Sequence, residues 1–132
     1  MHGCVLRPSR NSSLPSVFTL VCAVPLVVLA LGCHKATDTI LGKAPRGNLR
    51  TILAIRAGDT PPQVTISGIM LEKCPTAGCW LRVKDDTGII KVDTKAAGFT
   101  VVNVPLETKV TAAGKIVMEG DEPVLEATGL AY

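Results

Sequence analysis

Met70-Leu-Glu-Lys-Cys74-Pro-Thr-Ala-Gly78-Cys79-Trp80-Leu-Arg-Val-Lys84-Asp-Asp-Thr-Gly88-Ile-Ile-Lys-Val-Asp93 is the stretch whose reading decides the fold. From Cys79 the side chains alternate. Cys79, Leu81 and Val83 fall on one face and Trp80, Arg82 and Lys84 on the other, which is the period of a half-buried strand. Asp85-Asp86-Thr87-Gly88 then supplies a tight turn, with glycine where a positive φ is needed. Beyond it Ile90 and Val92 point inward, and Ile89, Lys91 and Asp93 outward. The stretch is therefore a β-meander with strands at 79–85 and 88–94.

Outward from the meander, the flanking chain carries a local echo. Val64-Thr-Ile-Ser-Gly68 and Val110-Thr-Ala-Ala-Gly114 share a Val-Thr-x-x-Gly core. A glycine inside a strand marks a bulge or sharp bend, the device by which a small sheet coils until it closes. Further strands are expected at 63–73, 108–119 and 123–131. Between the third and fourth, Asp93 or Thr94 caps one turn through Lys95 to Ala97, Gly98 ends it, and Phe99 plugs a barrel mouth. Five strands, an element between the third and fourth, and paired glycine bends predict an all-β domain, a five-stranded OB-fold-like barrel, over residues 48–132. Another small barrel or sandwich is the competing architecture.

Before the barrel the sequence predicts a short helix over 49–57. Asn48 is its N-cap, Leu49, Ile52 and Leu53 form its apolar face, and Gly58 closes it; Thr51 to Ile55 could instead pair as a strand. Pro61 and Pro62 end either element. Residues 33–47 are polar and turn-rich, the composition of a tether. At the amino terminus Arg7 and Arg10 precede an apolar run from Val17 to Leu31, too short for the roughly 20 residues of a spanning helix and suited to a secretory signal over residues 1–32. Leu29-Ala-Leu-Gly-Cys33 resembles a bacterial lipobox, with alanine at a position more often leucine. That resemblance implies cleavage before Cys33, its lipidation, and a mature chain anchored to a membrane of the bacterial cell envelope, facing the periplasm or exterior. His34 in place of aspartate does not favour inner-membrane retention by the same sorting rules.

Composition narrows the function. The chain has 132 residues, one domain at most, and its 3% aromatic content makes the core aliphatic and leaves few rings for base stacking. Of 14 basic residues, Arg7 and Arg10 leave with the signal, so 12 stand against 11 acidic ones, a net +1. That balance disfavours nucleic acid as a partner. Of 5 cysteines, Cys4 and Cys22 also leave and Cys33 takes lipid, so Cys74 and Cys79 remain. In an oxidising compartment, bracketing a four-residue loop between antiparallel strands, they are expected to face each other as a disulfide worth about 2 kcal/mol. Thiol chemistry, with Lys73 and Pro75 tuning Cys74, and soft-metal binding with Met70 and Met118 as distant helpers are the alternatives. His34 is the mature chain's one histidine, so neither a zinc site nor a hydrolytic relay is expected: no catalytic residue, metal or cofactor.

Glu72-Lys-Cys-x-x-x-Gly-Cys-Trp80 and the Asp85-Asp-Thr-Gly to Val92-Asp-Thr-Lys95 segment resemble a family of small exported bacterial OB-fold domains of uncharacterised function. The resemblance covers about residues 63–130. It implies the fold and the exported setting and brings no catalytic residue. The expected function is an envelope-anchored binding module for a protein, glycan or small ligand. Its ligand face is the outer side of strands two and three, carrying Trp80, Arg82, Lys84, Ile89 and Lys91. An oligonucleotide-binding role is a further alternative.

Overall fold

The computed structural model describes residues 38–132. The expected signal segment, the lipobox-like stretch and Cys33 lie outside the described residues. In chain order the elements are β1 (Ile40–Gly42), β2 (Asn48–Leu49), α1 (Ile52–Arg56), β3 (Val64–Lys73), β4 (Trp80–Lys84), β5 (Ile89–Asp93), β6 (Lys109–Glu119) and β7 (Glu122–Ala131). All five expected long strands are present, each within one residue of its expected ends.

Those five strands close a barrel in the order β3, β4, β5, β7, β6 and back to β3. Every contact in the ring is antiparallel except β5 with β7, where Lys91 to Asp93 run parallel to Val124 to Glu126. This is the OB-fold topology. The two Val-Thr-x-x-Gly segments turn out to be partners: Val64 stands opposite Gly114 and Gly68 opposite Val110. β3 leaves β6 and joins β4 at Ile69, a change of neighbour within one strand that needs a close backbone approach. A Cβ on Gly68 would strike the Lys84 carbonyl, and one on Gly114 the Glu126 carbonyl, so a side chain at either position would hold the barrel open.

The core is aliphatic, as the scarcity of rings requires. Ile66, Met70, Leu81, Val83, Ile90, Val92, Leu125 and Leu130 are fully buried, and Val101, Val104, Ile52 and Ile55 join the same cluster from the β5–β6 connector and α1. In that connector Asp93 accepts a hydrogen bond from the Lys95 amide at 2.8 Å, Gly98 ends the turn with φ +74°, and Phe99 packs half-buried against the core.

Two boundaries move. Asn48 and Leu49 pair parallel with Val64 and Thr65, so the helix cannot begin before Thr51, which is its true N-cap and accepts from the Ala54 amide at 3.2 Å. Its buried face is Ile52 and Ile55, while Leu49 and Leu53 are exposed. The expected tether of 33–47 is also shorter than its composition suggests. β7 runs on past the end of β5, leaving residues 129–131 with an open edge, and Ile40 to Gly42 fill it as an antiparallel strand. The backbone donors and acceptors of that edge are thereby paired.

Candidate functional site

The side chains expected on a ligand face share one outer surface, and most of its charge is paired. Trp80, Arg82 and Lys84 lie on one side of β4, opposite Asp93, Lys91 and Ile89 of β5. Leu81, Val83, Ile90 and Val92 point into the core, so the alternation holds. Two of the face's three cations, however, are spoken for. Arg82 pairs with Glu72 of β3 at 3.5 Å, and Lys91 with Glu119 of β6 at 2.7 Å. Lys84 forms no ion pair among the described residues. It sits in register between Ile69 of β3 and Ile89 of β5, so an aliphatic, cationic, aliphatic row crosses three strands. Ile69, Ile89 and the nearby Leu71 are each about 40% exposed, high for large aliphatics in strands. Beside the row is an open depression of about 630 Å³ whose walls include Ser67, Ile69, Leu71, Lys84, Asp86 and Lys109.

The partner acids could have been foreseen only with the register in hand. β3 carries a bulge between Met70 and Glu72. Before it Met70 faces Val83; after it Glu72 faces Arg82 and Lys73 faces Leu81. One extra residue on β3 thus brings Glu72 across from Arg82.

The same bulge alters the cysteines. Carried past it, the ladder places Cys74 against Trp80, whose carbonyl accepts the Cys74 amide at 3.0 Å. Cys79 therefore sits one place beyond, and the directly opposed pair expected from a four-residue loop is corrected. Both thiols are free, half-exposed, and 4.0 Å apart, about twice the length of a sulfur–sulfur bond. The loop between them is tightly folded: the Gly78 amide donates to the Cys74 carbonyl at 3.1 Å, and the Gly78 carbonyl accepts from Val101 at 3.0 Å. Gly78 has φ +57°, and a Cβ there would lie 2.6 Å from the Val102 nitrogen. Hydrogen bonds from Ala77 first, then Thr76, with Gly78 and Cys79 adding to them, outweigh partial burial and lower the Cys74 pKa to about 7.

Lys73 does not tune that thiol. Its ammonium donates instead to the carbonyls of Val101, Val102 and Val104 at 3.3, 2.6 and 2.5 Å, tying β3 to the connector. Lys73 stands opposite the inward Leu81, a register that a lysine can occupy only with such acceptors. Nor do the thioethers approach the cysteines: Met70 is sealed in the core, and Met118 is exposed near the β6–β7 turn, opposite Pro123. Among the described residues no three of His, Cys, Asp and Glu are grouped to hold a metal.

The turn aspartate has a second task that its spacing hid. Asp85 Oδ1 accepts from the Thr87 amide and hydroxyl and the Gly88 amide at 2.7, 2.6 and 2.9 Å, and Oδ2 accepts from Ile52 at 2.8 Å. Thr87 Oγ1 accepts from Leu53 at 3.0 Å. With Thr51 on Ala54, the first three amides of α1 each receive an oxygen, and two of those oxygens come from the β4–β5 turn. A five-residue helix has little stability of its own, so this clasp makes it. At the other end Arg56 donates to the Ile89 carbonyl at 2.8 Å, so the helix is held against the edge of the candidate face.

No protein-family model matches the chain, and no curated protein matches it. Among solved structures it is similar to that of the hypothetical protein ygiW from E. coli, at 19% identity and a TM-score of 0.48, covering 64% of this chain and 88% of that one.

Proposed function

We propose that this chain is an exported, lipid-anchored binding module, held to an envelope membrane through Cys33, that engages an envelope protein through the outer face of β3, β4 and β5. The observation that carries the reading is the row Ile69, Lys84, Ile89, with Leu71 and Trp80 beside it. Contiguous exposed aliphatics rimmed by charge mark contact surfaces. A protein suits this row better than the alternatives. A phosphate backbone requires several free cations, whereas Arg82 and Lys91 are engaged by Glu72 and Glu119. A glycan favours an aromatic platform, and this face offers Trp80 with aliphatic neighbours. In the same oxidising setting Cys74 and Cys79 close to a disulfide that braces the edge of the face beside Trp80.

The test uses the full-length, membrane-attached protein with a photo-crosslinking residue at position 84 or 89, and at Lys115 as a control on another strand pair. A discrete protein adduct from 84 and 89, absent from 115 and lost in a Ile69→Glu background that keeps its β spectrum, is the expected result. Equal labelling from all three positions, or recovery of a glycan or small ligand in place of protein, overturns it. Mass spectrometry of the same material reads the acyl group on Cys33; an unmodified amino terminus overturns the anchor.

A further inference from the structure

We propose that Cys74 and Cys79 form a thiol–disulfide exchange site, in which Cys74 attacks a disulfide of the low-molecular-weight or protein mixed-disulfide class and Cys79 resolves the adduct. The inference stands on the loop geometry and holds whether or not the binding reading does.

The two sulfurs have unequal surroundings. Cys74 lies at the end of β3, where the Pro75 to Cys79 loop folds back and turns its amides toward the sulfur. The backbone amides of Ala77 and Thr76, with smaller help from Gly78 and Cys79, favour the Cys74 thiolate. Cys79 precedes β4 and faces inward. Continuing the β4–β5 register puts it across from Thr94, whose amide donates to the Cys79 carbonyl at 3.0 Å. Thr94 is fully buried, and its hydroxyl has no partner among the described residues. Residues opposed across a ladder share a face, so that hydroxyl is on the Cys79 side of the sheet. At 4.0 Å the thiols are free yet one side-chain rotation from bonding. The loop residues between them, Pro75 to Ala77, are exposed, so a disulfide can approach Cys74 from solvent.

The chemistry balances as follows. The Cys74 thiolate attacks one sulfur of a disulfide RSSR, forming Cys74–S–S–R and expelling RS⁻, which takes a proton from water. Cys79 loses its proton to solvent and attacks the Cys74 sulfur, closing Cys74–Cys79 and expelling the second RS⁻. Two electrons pass from the dithiol to RSSR, and two RSH leave. A thiolate half-formed near pH 7 exceeds the thiolate fraction of an ordinary cysteine about 15-fold, and its lower intrinsic nucleophilicity returns about 5-fold of that. The net rate advantage at neutral pH is only about threefold, so the pH profile and the trapped adduct decide the matter better than the rate.

The reduced protein, treated with iodoacetamide from pH 5 to 10 and mapped by mass spectrometry, should label Cys74 first with a midpoint near pH 7. Oxidised glutathione should convert it to the internal disulfide with release of two glutathiones and quenching of Trp80, the chain's one tryptophan. Cys79→Ser should stop at one glutathione on Cys74, and Cys74→Ser should give no stable adduct in the same time. Labelling of Cys74 with a midpoint at or above about 8.5, that of a free thiol, overturns the assignment without recourse to any variant. So does a stable glutathione adduct on the wild-type protein, or a Cys74→Ser protein as reactive as wild type.

Discussion

Replacing Asp85 by alanine should detach α1 from the β4–β5 turn. The carboxylate holds one helix amide, Ile52, at 2.8 Å and closes the turn through Thr87 and Gly88. Loss of an N-capping oxygen costs about 1 kcal/mol, and a charged acceptor on a partly buried amide raises the cost of its removal to about 1.5–3 kcal/mol. The Thr87 donors are open to water and rehydrate, and the Gly88 amide is partly so, so they add little, and the total is about 2–3 kcal/mol. For a domain of this size that is a fall in Tm of roughly 10–20 °C. Asp85→Asn keeps one oxygen for the turn and should lose about half as much. Urea unfolding followed by Trp80 fluorescence measures both. The pH dependence adds a second arm. Burial pushes the Asp85 carboxyl up, but the Thr87 hydroxyl and the Ile52, Thr87 and Gly88 amides together outweigh it and leave the pKa below 3.8. A carboxyl depressed on folding contributes its full stability above the unfolded value and loses it as pH falls through the folded one. The stability difference between wild type and Asp85→Asn should therefore be flat from pH 7 to about 5 and shrink below about 4. A cost for Asp85→Ala under about 0.5 kcal/mol, or a difference that grows in acid, would refute the clasp.

Three further outcomes follow from the same geometry. Lys73→Met keeps the stem but removes the ammonium from three connector carbonyls, of which Val101 keeps the Val104 amide, and should cost about 1–3 kcal/mol by urea unfolding, with faster hydrogen exchange at the Val104 amide as the local sign. Gly78→Ala meets both a positive φ and the Val102 nitrogen, and should cost about 1–3 kcal/mol while slowing closure of the Cys74–Cys79 bond. The charge swap Glu72→Arg with Arg82→Glu should change stability by less than about 0.5 kcal/mol, because both groups are more than half exposed; thermal melts at low and high salt check this.

The barrel was legible from Leu81 onward because period-two alternation and glycine punctuation report directly on burial and bending. The Val-Thr-x-x-Gly echo marked two bent strands, but not that they pair with each other. The bulge at Leu71 was not legible, since an extra residue in a run of apolar and charged side chains leaves no mark on the alternation of β4. Everything read through that register moved with it: Glu72 came opposite Arg82, Lys73 turned inward, and Cys74 met Trp80. The short pairings were hidden for another reason. Ile40 to Gly42 and Asn48–Leu49 are strands because open edges wait for them, a property of the assembled sheet that local composition does not record. Asp85 was correctly placed in its turn, but its grip on a helix 33 residues earlier is a tertiary contact that no local spacing encodes.

The added residue at Leu71 also works as a spacer in the mechanical sense. Were it deleted, the ladder that sets Met70 against Val83 would run on unbroken and bring the two cysteines into direct opposition. Such a hairpin would trade reach for rigidity: its sulfurs would be fixed by the strands, and the loop would have no slack with which to open. With the spacer in place the same two sulfurs sit on a ratchet one tooth apart, close enough to latch and free enough to release. A single-codon deletion would thus convert a latch into a rivet, which makes the length of β3 a sharper determinant of this edge than any one side chain on it.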